Sequence, residues 1–460
     1  MTSRPWRRRA APAFGTTVDR QLPGTAHGAS GRSFLPAFLS PRGSLPEGTP
    51  WVGAGLAVLG LTAYGFLILS ARAVGPRRYA SLSALWAAVY LAGPGFFLPL
   101  EQEVGRAVAA RRAQGQGGGP VIRRAGLAGA GLALGLVVAV LAFSGPLRTE
   151  LFDGDALLVV ALALGLAGYF LQHLVRGALS GTGRFTSYGL VLGADGALRL
   201  VACAALAGLG VHAAGPYGLA VGLAPLAAAG IGWLAPREAA APGPEAHWGE
   251  LSRALGWLLA GSLFAQVLVN AGPLAVKLLA SDSERATAGR FLAGLVLARV
   301  PLFLFASVQA ALLPELAGLA AAGRSRAFAS GLRRILVLVV VVGAAAVVAA
   351  PTVGPTALRL LFGGEFGLGR AHLTYLAAGS AFYMLAVTLA QAQIALAGYE
   401  RVAIAWLAGI VAFVVVTAAV QGLLLRVELG FLVGSAVAAL VMATMLVGRL
   451  RAGMEIVAVP

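Results

Sequence analysis

The stretch RRILVLVVVVGAAAVVAAPTVG (residues 333–354) sets an arginine pair against an unbroken apolar run that ends at Ala350. A helix apolar all round has no face for water, so it belongs in a protein core or a bilayer. At about 1.5 Å per residue, residues 335–357 are long enough to cross a hydrocarbon layer of about 30 Å. Working outward from this run, comparable stretches fall at residues 51–70, 79–100, 125–147, 156–176, 187–208, 217–235, 254–279, 291–313, 372–397, 402–425 and 429–448. The sequence therefore predicts an all-α polytopic membrane protein with about twelve transmembrane helices. Composition agrees: 58% of the 460 residues are hydrophobic and 12% charged, against roughly 45–50% and 25% for a soluble domain. A water-soluble fold is excluded. Cys203, the only cysteine, lies inside a span, which rules out a disulfide framework or a cysteine-based metal site and points to small-residue packing.

The balance of 35 Lys and Arg to 18 Asp and Glu gives a net charge of +17. An anionic membrane surface, an anionic substrate and nucleic acid would each suit such a charge. Lys277 is the only lysine, and an Arg-, Ala- and Gly-rich chain of the kind a GC-rich genome encodes is a second reading of the same excess. The placement of the basic residues within a multi-span chain removes nucleic acid and leaves membrane lipids as partners. Residues 1–50 include Arg7, Arg8 and Arg9 with many Pro and Gly, and are expected to be a disordered basic cytoplasmic tail without a cleavable signal. With the N-terminus inside, roughly 23 basic residues fall on the inner side and about 10 on the outer. Both termini are then cytoplasmic, including a C-terminal tail over 449–460.

An internal repeat organises the spans. Pro99-Leu100-Glu101 opens a basic segment holding Arg106, Arg111, Arg112, Arg123 and Arg124, and Pro314-Glu315-Leu316 opens another holding Arg324, Arg326, Arg333 and Arg334. Leu151-Phe152-Asp153-Gly154-Asp155 is echoed by Leu361-Phe362-Gly363-Gly364-Glu365, and Ala178-Leu179-Ser180-Gly181 by Ala395-Leu396-Ala397-Gly398. The echoes keep their order at separations of about 210–217 residues. Two six-helix lobes, 51–235 and 254–448, joined by a cytoplasmic linker over 236–253, should be related by a pseudo-twofold along the membrane normal, with a central cavity between them.

Ionisable residues at bilayer depth cost about 2.5–3.5 kcal/mol on insertion scales, so they face a cavity or a partner. Asp195 and Arg199 lie on one helical face at i, i+4. They form either a structural ion pair or a lumen cation beside an ion-coupling carboxylate. Arg299, next to Pro301, has no carboxylate within a turn. It is a candidate contact for phosphate or an acidic sugar, because a guanidinium offers a planar fork; the competing reading is a partner on another helix. Gln266, Asn270, Gln309, Gln391 and Gln393 can bind sugar hydroxyls or tie helices together. Arg72, Arg77 and Arg78 follow the first span and form either an outer electropositive rim or a weak topology signal. His173 reads as interfacial. Gly93-Pro94-Gly95, Pro225, Pro273 and Pro301 mark possible bends.

Two such halves, with a basic loop between the second and third helix of each, resemble the multidrug/oligosaccharidyl-lipid/polysaccharide (MOP) exporter superfamily. The residues that carry the resemblance are Phe97-Leu98-Pro99-Leu100-Glu101-Gln102-Glu103, Pro301-Leu302-Phe303-Leu304 through Gln309-Ala310-Ala311-Leu312-Leu313-Pro314, and Ala395-Leu396-Ala397-Gly398 followed by Arg401. Over about residues 51–450 the chain looks most like the polysaccharide and O-antigen-type flippases and their lipid II flippase relatives. That resemblance implies alternating access by a flippase of the bacterial cytoplasmic membrane, acting in polysaccharide or cell-envelope biosynthesis. Its cargo would be a polyprenyl-diphosphate-linked oligosaccharide or a related anionic glycolipid. A polysaccharide polymerase or glycosyltransferases are the implied protein partners. Some relatives place a basic residue on helix eight about a turn before the Pro-Leu pair; here Val296 stands there and Arg299 lies closer to the proline.

The implied substrate-binding residues are Arg299, Arg199, Asn270, Gln266, Gln309 and Gln391, with Asp195 for ion coupling. Two other classes compete with this reading. A cation-coupled multidrug exporter of the same superfamily needs buried carboxylates, and Asp195 is the only acid inside the predicted spans. A membrane glycosyltransferase needs carboxylates in an extended outer loop. The one cluster of that kind, Glu150, Asp153 and Asp155, has an echo that reads as a repeated turn. No catalytic residue, metal or cofactor is expected.

Overall fold

The computed structural model describes residues 49–234, 241–246, 255–303, 305, 316, 318–320 and 322–451. Residues 1–48 of the expected tail over 1–50, much of the linker, Gln309 and residues beyond 451 lie outside the described residues.

The first two expected spans are one element, α1 (Thr49–Ala113), bent at Gly75, whose φ of 73° and ψ of 167° interrupt the helix. A left-handed φ suits glycine, and Pro76 next to it cannot donate to the preceding turn. Each limb, about 25 residues or more, is long enough to span hydrocarbon. The loop expected at 71–78 is therefore a kink, and Arg72, Arg77 and Arg78 sit on helix. The remaining elements are α2 (Gly119–Ala142), α3 (Ala156–Gly181), α4 (Phe185–Gly208), α5 (Ala214–Trp233), α6 (Leu255–Leu279), α7 (Arg285–Ala298), α8 (Ser325–Thr352), α9 (Gly354–Phe362), α10 (Arg370–Ala395), α11 (Tyr399–Ala419) and α12 (Leu423–Arg451). Ten helices of the described chain, α1 counted once, are long and apolar enough to cross a membrane. The eighth expected span is broken: α7 ends at Ala298, Arg299 forms a turn, and helix resumes at 300–303. Pro301 explains the break, since it has no N–H for the Leu297 carbonyl.

Helix contacts fall into two groups. In the N-lobe, α3 packs on α5, and α1 packs on α3 and α4; in the C-lobe, α12 packs on α10 and α11, and α8 packs on α10. α1 also packs on α6 and α7, so it belongs to both faces of the inter-lobe seam. Lipid tails are as apolar as leucine, so helices associate here by close approach rather than by escape from water. Glycines permit it. A Cβ at Gly409 of α11 would lie 2.7 Å from the Gly434 carbonyl oxygen of α12, and one at Gly434 the same distance from that of Gly409.

The repeat has a structural counterpart. α3 ends with Arg184 N–H on the Leu179 carbonyl and Gly183 N–H on Ser180, while α10 ends with Gly398 N–H on Gln393 and Ala397 N–H on Ile394. These are the same cap, with Gly183 (φ 74°) and Ala397 (φ 56°) in the left-handed conformation it requires. Phe152 and Phe362 are both fully buried, each just before left-handed backbone at Asp153 (φ 49°) and Gly363 (φ 103°).

Gly434→Val should remove the α11–α12 approach and cost about 1–3 kcal/mol through overpacking. Gly131→Ala, where an added Cβ meets nothing within 4 Å, should leave the protein intact. Thermal unfolding in detergent checks both: the first midpoint should fall and the second should not.

Candidate functional site

Four polar constellations lie inside the bundle and a fifth closes one end of it. At the broken helix, the Arg299 guanidinium donates from Nη2 to the Val269 carbonyl of α6 and lies 5.8 Å over the Phe431 ring of α12. Its Nε is buried with no hydrogen-bond partner, and no carboxylate among the described residues pairs with it. Next to Val269, the buried Asn270 donates from Nδ2 to Gln266 Oε1 at 3.1 Å. Gln266 faces the N-lobe: a Cβ at Gly95 of α1 would lie 3.7 Å from its Cβ. The N-lobe completes this region with Tyr64 of α1, whose hydroxyl donates to the Val296 carbonyl at 3.3 Å and whose ring meets Phe303 edge-on at 4.9 Å. An apolar cavity of about 180 Å³, lined in part by Val300, Pro301, Ala346 and Leu373, adjoins the break.

Arg199 and Asp195 stand apart from that group, inside the N-lobe. Arg199 Nη2 donates to Asp195 Oδ1 at 2.7 Å and Nη1 to the Tyr90 hydroxyl at 2.5 Å. The guanidinium lies 5.2 Å over Trp86, and both charged side chains are buried. The i, i+4 spacing thus makes a neutral pair, clamped against α1 by aromatic rings. Gln391 is partly buried on α10. Gln393, buried two residues on, donates to the Met442 carbonyl at 3.3 Å and ties α10 to α12.

Glu101 and Glu428 are among the buried acids that escaped the sequence reading, which had counted Asp195 as the only acid within spans. Glu101 lies inside α1, just past the expected span end at 100, and its carboxylate accepts from His173 Nδ1 at 2.6 Å and from the Tyr188 hydroxyl at 2.6 Å, with Arg176 Nη2 at 3.1 Å. His173 is accordingly buried within the N-lobe rather than interfacial. Glu428, one residue before the expected last span, is fully buried on α12 and accepts from His372 Nδ1 of α10 at 2.8 Å. An acid bordering an apolar run was the only available signal, and it does not separate a loop from a helix that continues.

The end of the bundle that carries Asp153 is closed between the lobes. Asp153 of the N-lobe accepts from Lys277 Nζ of α6 at 2.6 Å and from Arg285 of α7, and also from Ser81 Oγ of α1. Arg72 Nε donates to the Leu361 carbonyl at 2.6 Å, and Tyr79 meets Phe366 at 5.6 Å. Arg77 and Arg78 sit at the same end, where Arg78 donates to the His212 carbonyl at 3.3 Å. Together with Asp153, Asp155 and Arg285 they line a cavity of about 380 Å³ at this end. Burial would raise the Asp153 carboxyl, but hydrogen bonds from Lys277 and Ser81 and the charges of Lys277 and Arg285 outweigh it and hold it below its ordinary value. Toward the other end, the seam continues to Ser262 Oγ, which donates to the Pro94 carbonyl at 3.2 Å.

No protein-family model matches the chain. The Mycobacterium tuberculosis (strain ATCC 25618 / H37Rv) proteins "Uncharacterized protein Rv3630" and "Uncharacterized protein Rv1510" are relatives. The first is 31% identical over 374 residues, covering 77% of this chain and 81% of that protein. The second is 29% identical over 391 residues, covering 82% and 86%. Among solved structures, the inward-facing conformation of a multidrug resistance MATE family transporter of the MOP superfamily aligns with a TM-score of 0.67 at 16% identity, over 87% of this chain and 98% of its own. The outward-facing conformation of such a transporter gives a TM-score of 0.60 at 15% identity, over 88% and 94%. At these identities the likeness is one of fold.

Asp153→Asn should loosen the closed end. Because 24% of the Asp153 side chain is exposed, the expected cost is about 1–2 kcal/mol, less than for a fully buried pair. The spin–spin distance between labels at the exposed Thr149 and Ser283 should lengthen. In the unmodified protein the Asp153 contribution is complete above its ordinary pKa of about 4 and is lost as pH falls through the lowered value, so the same lengthening should appear only in acid.

Proposed function

The chain belongs to one family with the Mycobacterium tuberculosis protein Rv3630 and has the two-lobe fold of the MOP superfamily; from this we propose that it is a membrane transporter working by alternating access. Its cargo in this reading is a polyprenyl-diphosphate-linked oligosaccharide or a related anionic glycolipid, moved across a bacterial cytoplasmic membrane with both termini cytoplasmic. It acts on membrane lipids and a lipid-linked glycan, alongside a polysaccharide polymerase or glycosyltransferases, and is not itself an enzyme.

The observation that carries the proposal is Arg299. A guanidinium within hydrocarbon is retained only where it meets a partner or a cargo. The acids seen at depth are already matched: Asp195 by Arg199, Glu101 by Arg176 and His173, and Glu428 by His372. Arg299 has carbonyl and aromatic contacts but no counter-charge among the described residues. It lies on a broken helix where α1 of the other lobe, through Tyr64, reaches the same region. A diphosphate supplies both the missing charge and a geometry that a guanidinium fork fits. Asn270 and Gln266, adjacent on α6, present amides of the kind that bind sugar hydroxyls. In this reading the lobes carry the headgroup past hydrocarbon while the polyprenyl tail stays in lipid.

A second reading is a cation-coupled multidrug exporter. It is favoured by the structural neighbours, which are multidrug resistance MATE family transporters, and by Glu428, whose Oε1 is buried without a hydrogen-bond partner.

Replacing Arg299 with Gln, in cells that depend on this chain for a surface glycan, should lower export about 10- to 100-fold. That corresponds to one charge-assisted hydrogen bond of roughly 1.5–3 kcal/mol, and Arg299→Lys should retain part of the activity. Undiminished export by Arg299→Gln overturns the assignment. Drug resistance conferred by the chain and lost in Glu428→Gln would establish the second reading instead.

A further inference from the structure

The four side chains Glu101, His173, Arg176 and Tyr188 form a buried group that the transport reading leaves unused. They come from three helices, α1, α3 and α4. Glu101 accepts three contacts: from His173, Tyr188 and Arg176. Arg176 also donates from Nη2 to the Tyr188 hydroxyl at 2.8 Å. A carboxylate with a guanidinium beside it and a phenol donating to it is ionised, and an ionised carboxylate can only accept. The ring hydrogen at this contact therefore sits on His173 Nδ1, which fixes the tautomer: the neutral imidazole carries its lone pair on Nε2. That atom is buried and has no hydrogen-bond partner. A basic lone pair without a donor, on a histidine 2% exposed, can take up a proton.

We propose that this cluster is a proton-binding site inside the N-lobe, loaded at His173 Nε2, and that loading loosens the seam between α1 and α3. Unloaded, the cluster is electrically balanced, with Arg176 matching Glu101. Loaded, it carries one uncompensated positive charge and a buried N–H with no acceptor, and both are relieved only if water or a new partner enters. The helices around the site offer no second carboxylate at hand. α1 adds Glu103, already paired with Arg106. α2 carries only Arg123 and Arg124, the latter donating to the Ala246 carbonyl. α3 adds Tyr169, α4 adds Asp195 held by Arg199, and α5 has no charged side chain.

The seam that must yield is tight. A Cβ at Gly177 of α3 would lie 2.8 Å from the Glu101 carbonyl oxygen, and one at Gly105 of α1 would lie 2.7 Å from Ser180 Oγ. A small opening there therefore separates the two helices over several residues.

The site is independent of what the protein carries, so it can be tested without knowing the cargo. In the full chain labelled with 15N-histidine in lipid nanodiscs, the signals missing from His173→Asn belong to this ring. Nδ1 should show a bound proton at every pH, while Nε2 should gain one as pH is lowered from 9 to 5. Glu101→Gln should move the midpoint down by about one pH unit or more, because the neighbouring negative charge is gone. Hydrogen exchange over residues 97–108 and 172–181 should rise in acid in the unmodified protein and become pH-independent in His173→Asn. If His173→Asn does not fold, the ring is assigned as the one whose midpoint moves in Glu101→Gln. A proton on Nε2 at all pH values, or no titration in that range, overturns the proposal. Exchange that rises equally in the variant refutes the link to the seam.

Discussion

Everything in this bundle is arranged around the cost of leaving an ionised group in hydrocarbon. The chain answers that cost locally, by pairing. Arg199 and Asp195 neutralise each other one turn apart on α4 and are covered by Trp86 and Tyr90 of α1. Glu101 gathers donors from three helices, and Glu428 takes His372 from a neighbouring one. Because pairing is the rule, a departure from it carries information, and Arg299 is such a departure. A neutral pair needs no further explanation than packing, whereas an uncompensated guanidinium beside the inter-lobe seam needs something to meet it.

The same constraint separates what is rigid from what can move. Within each lobe, helices touch at glycines with backbone against backbone, as at Gly409 and Gly434 or Gly177 and Glu101. Between the lobes, polar contacts gather at the Asp153 end, where one carboxylate holds two cations of the opposite lobe. Salt bridges of that kind can be exchanged for water at modest cost, since the group is already partly exposed. A pair of stiff lobes with a releasable latch is mechanically suited to rocking, and α1, which packs on both lobes and bends at Gly75, is the element through which such a motion would pass.

The helical spans and the two-lobe organisation were legible in the sequence because the hydrocarbon thickness imposes a length and a composition on each helix. Neither depends on which helices become neighbours. The repeat was legible for a related reason: a cap that needs left-handed backbone leaves its trace in local residues, as at Gly183 and Ala397. Element boundaries were less secure. The chain 71–78 reads as a loop because it holds three arginines, yet it is helical on both sides of Gly75, since charged side chains at a membrane edge can point to water from a helix as readily as from a loop.

Of the intramembrane polar residues, sequence alone established the Asp195–Arg199 spacing and the absence of a carboxylate within a turn of Arg299, because both are properties of a single helix. Only the tertiary structure decided that Arg299, Asn270 and Gln266 share one region while Arg199 lies apart in the other lobe, that Asp153 latches the lobes, and that Glu101 meets a histidine 72 residues away. The physical reason is the range of the interactions. Membrane insertion and helix periodicity act between residues close in the chain, whereas charge pairing acts through space and is fixed only once the helices have packed.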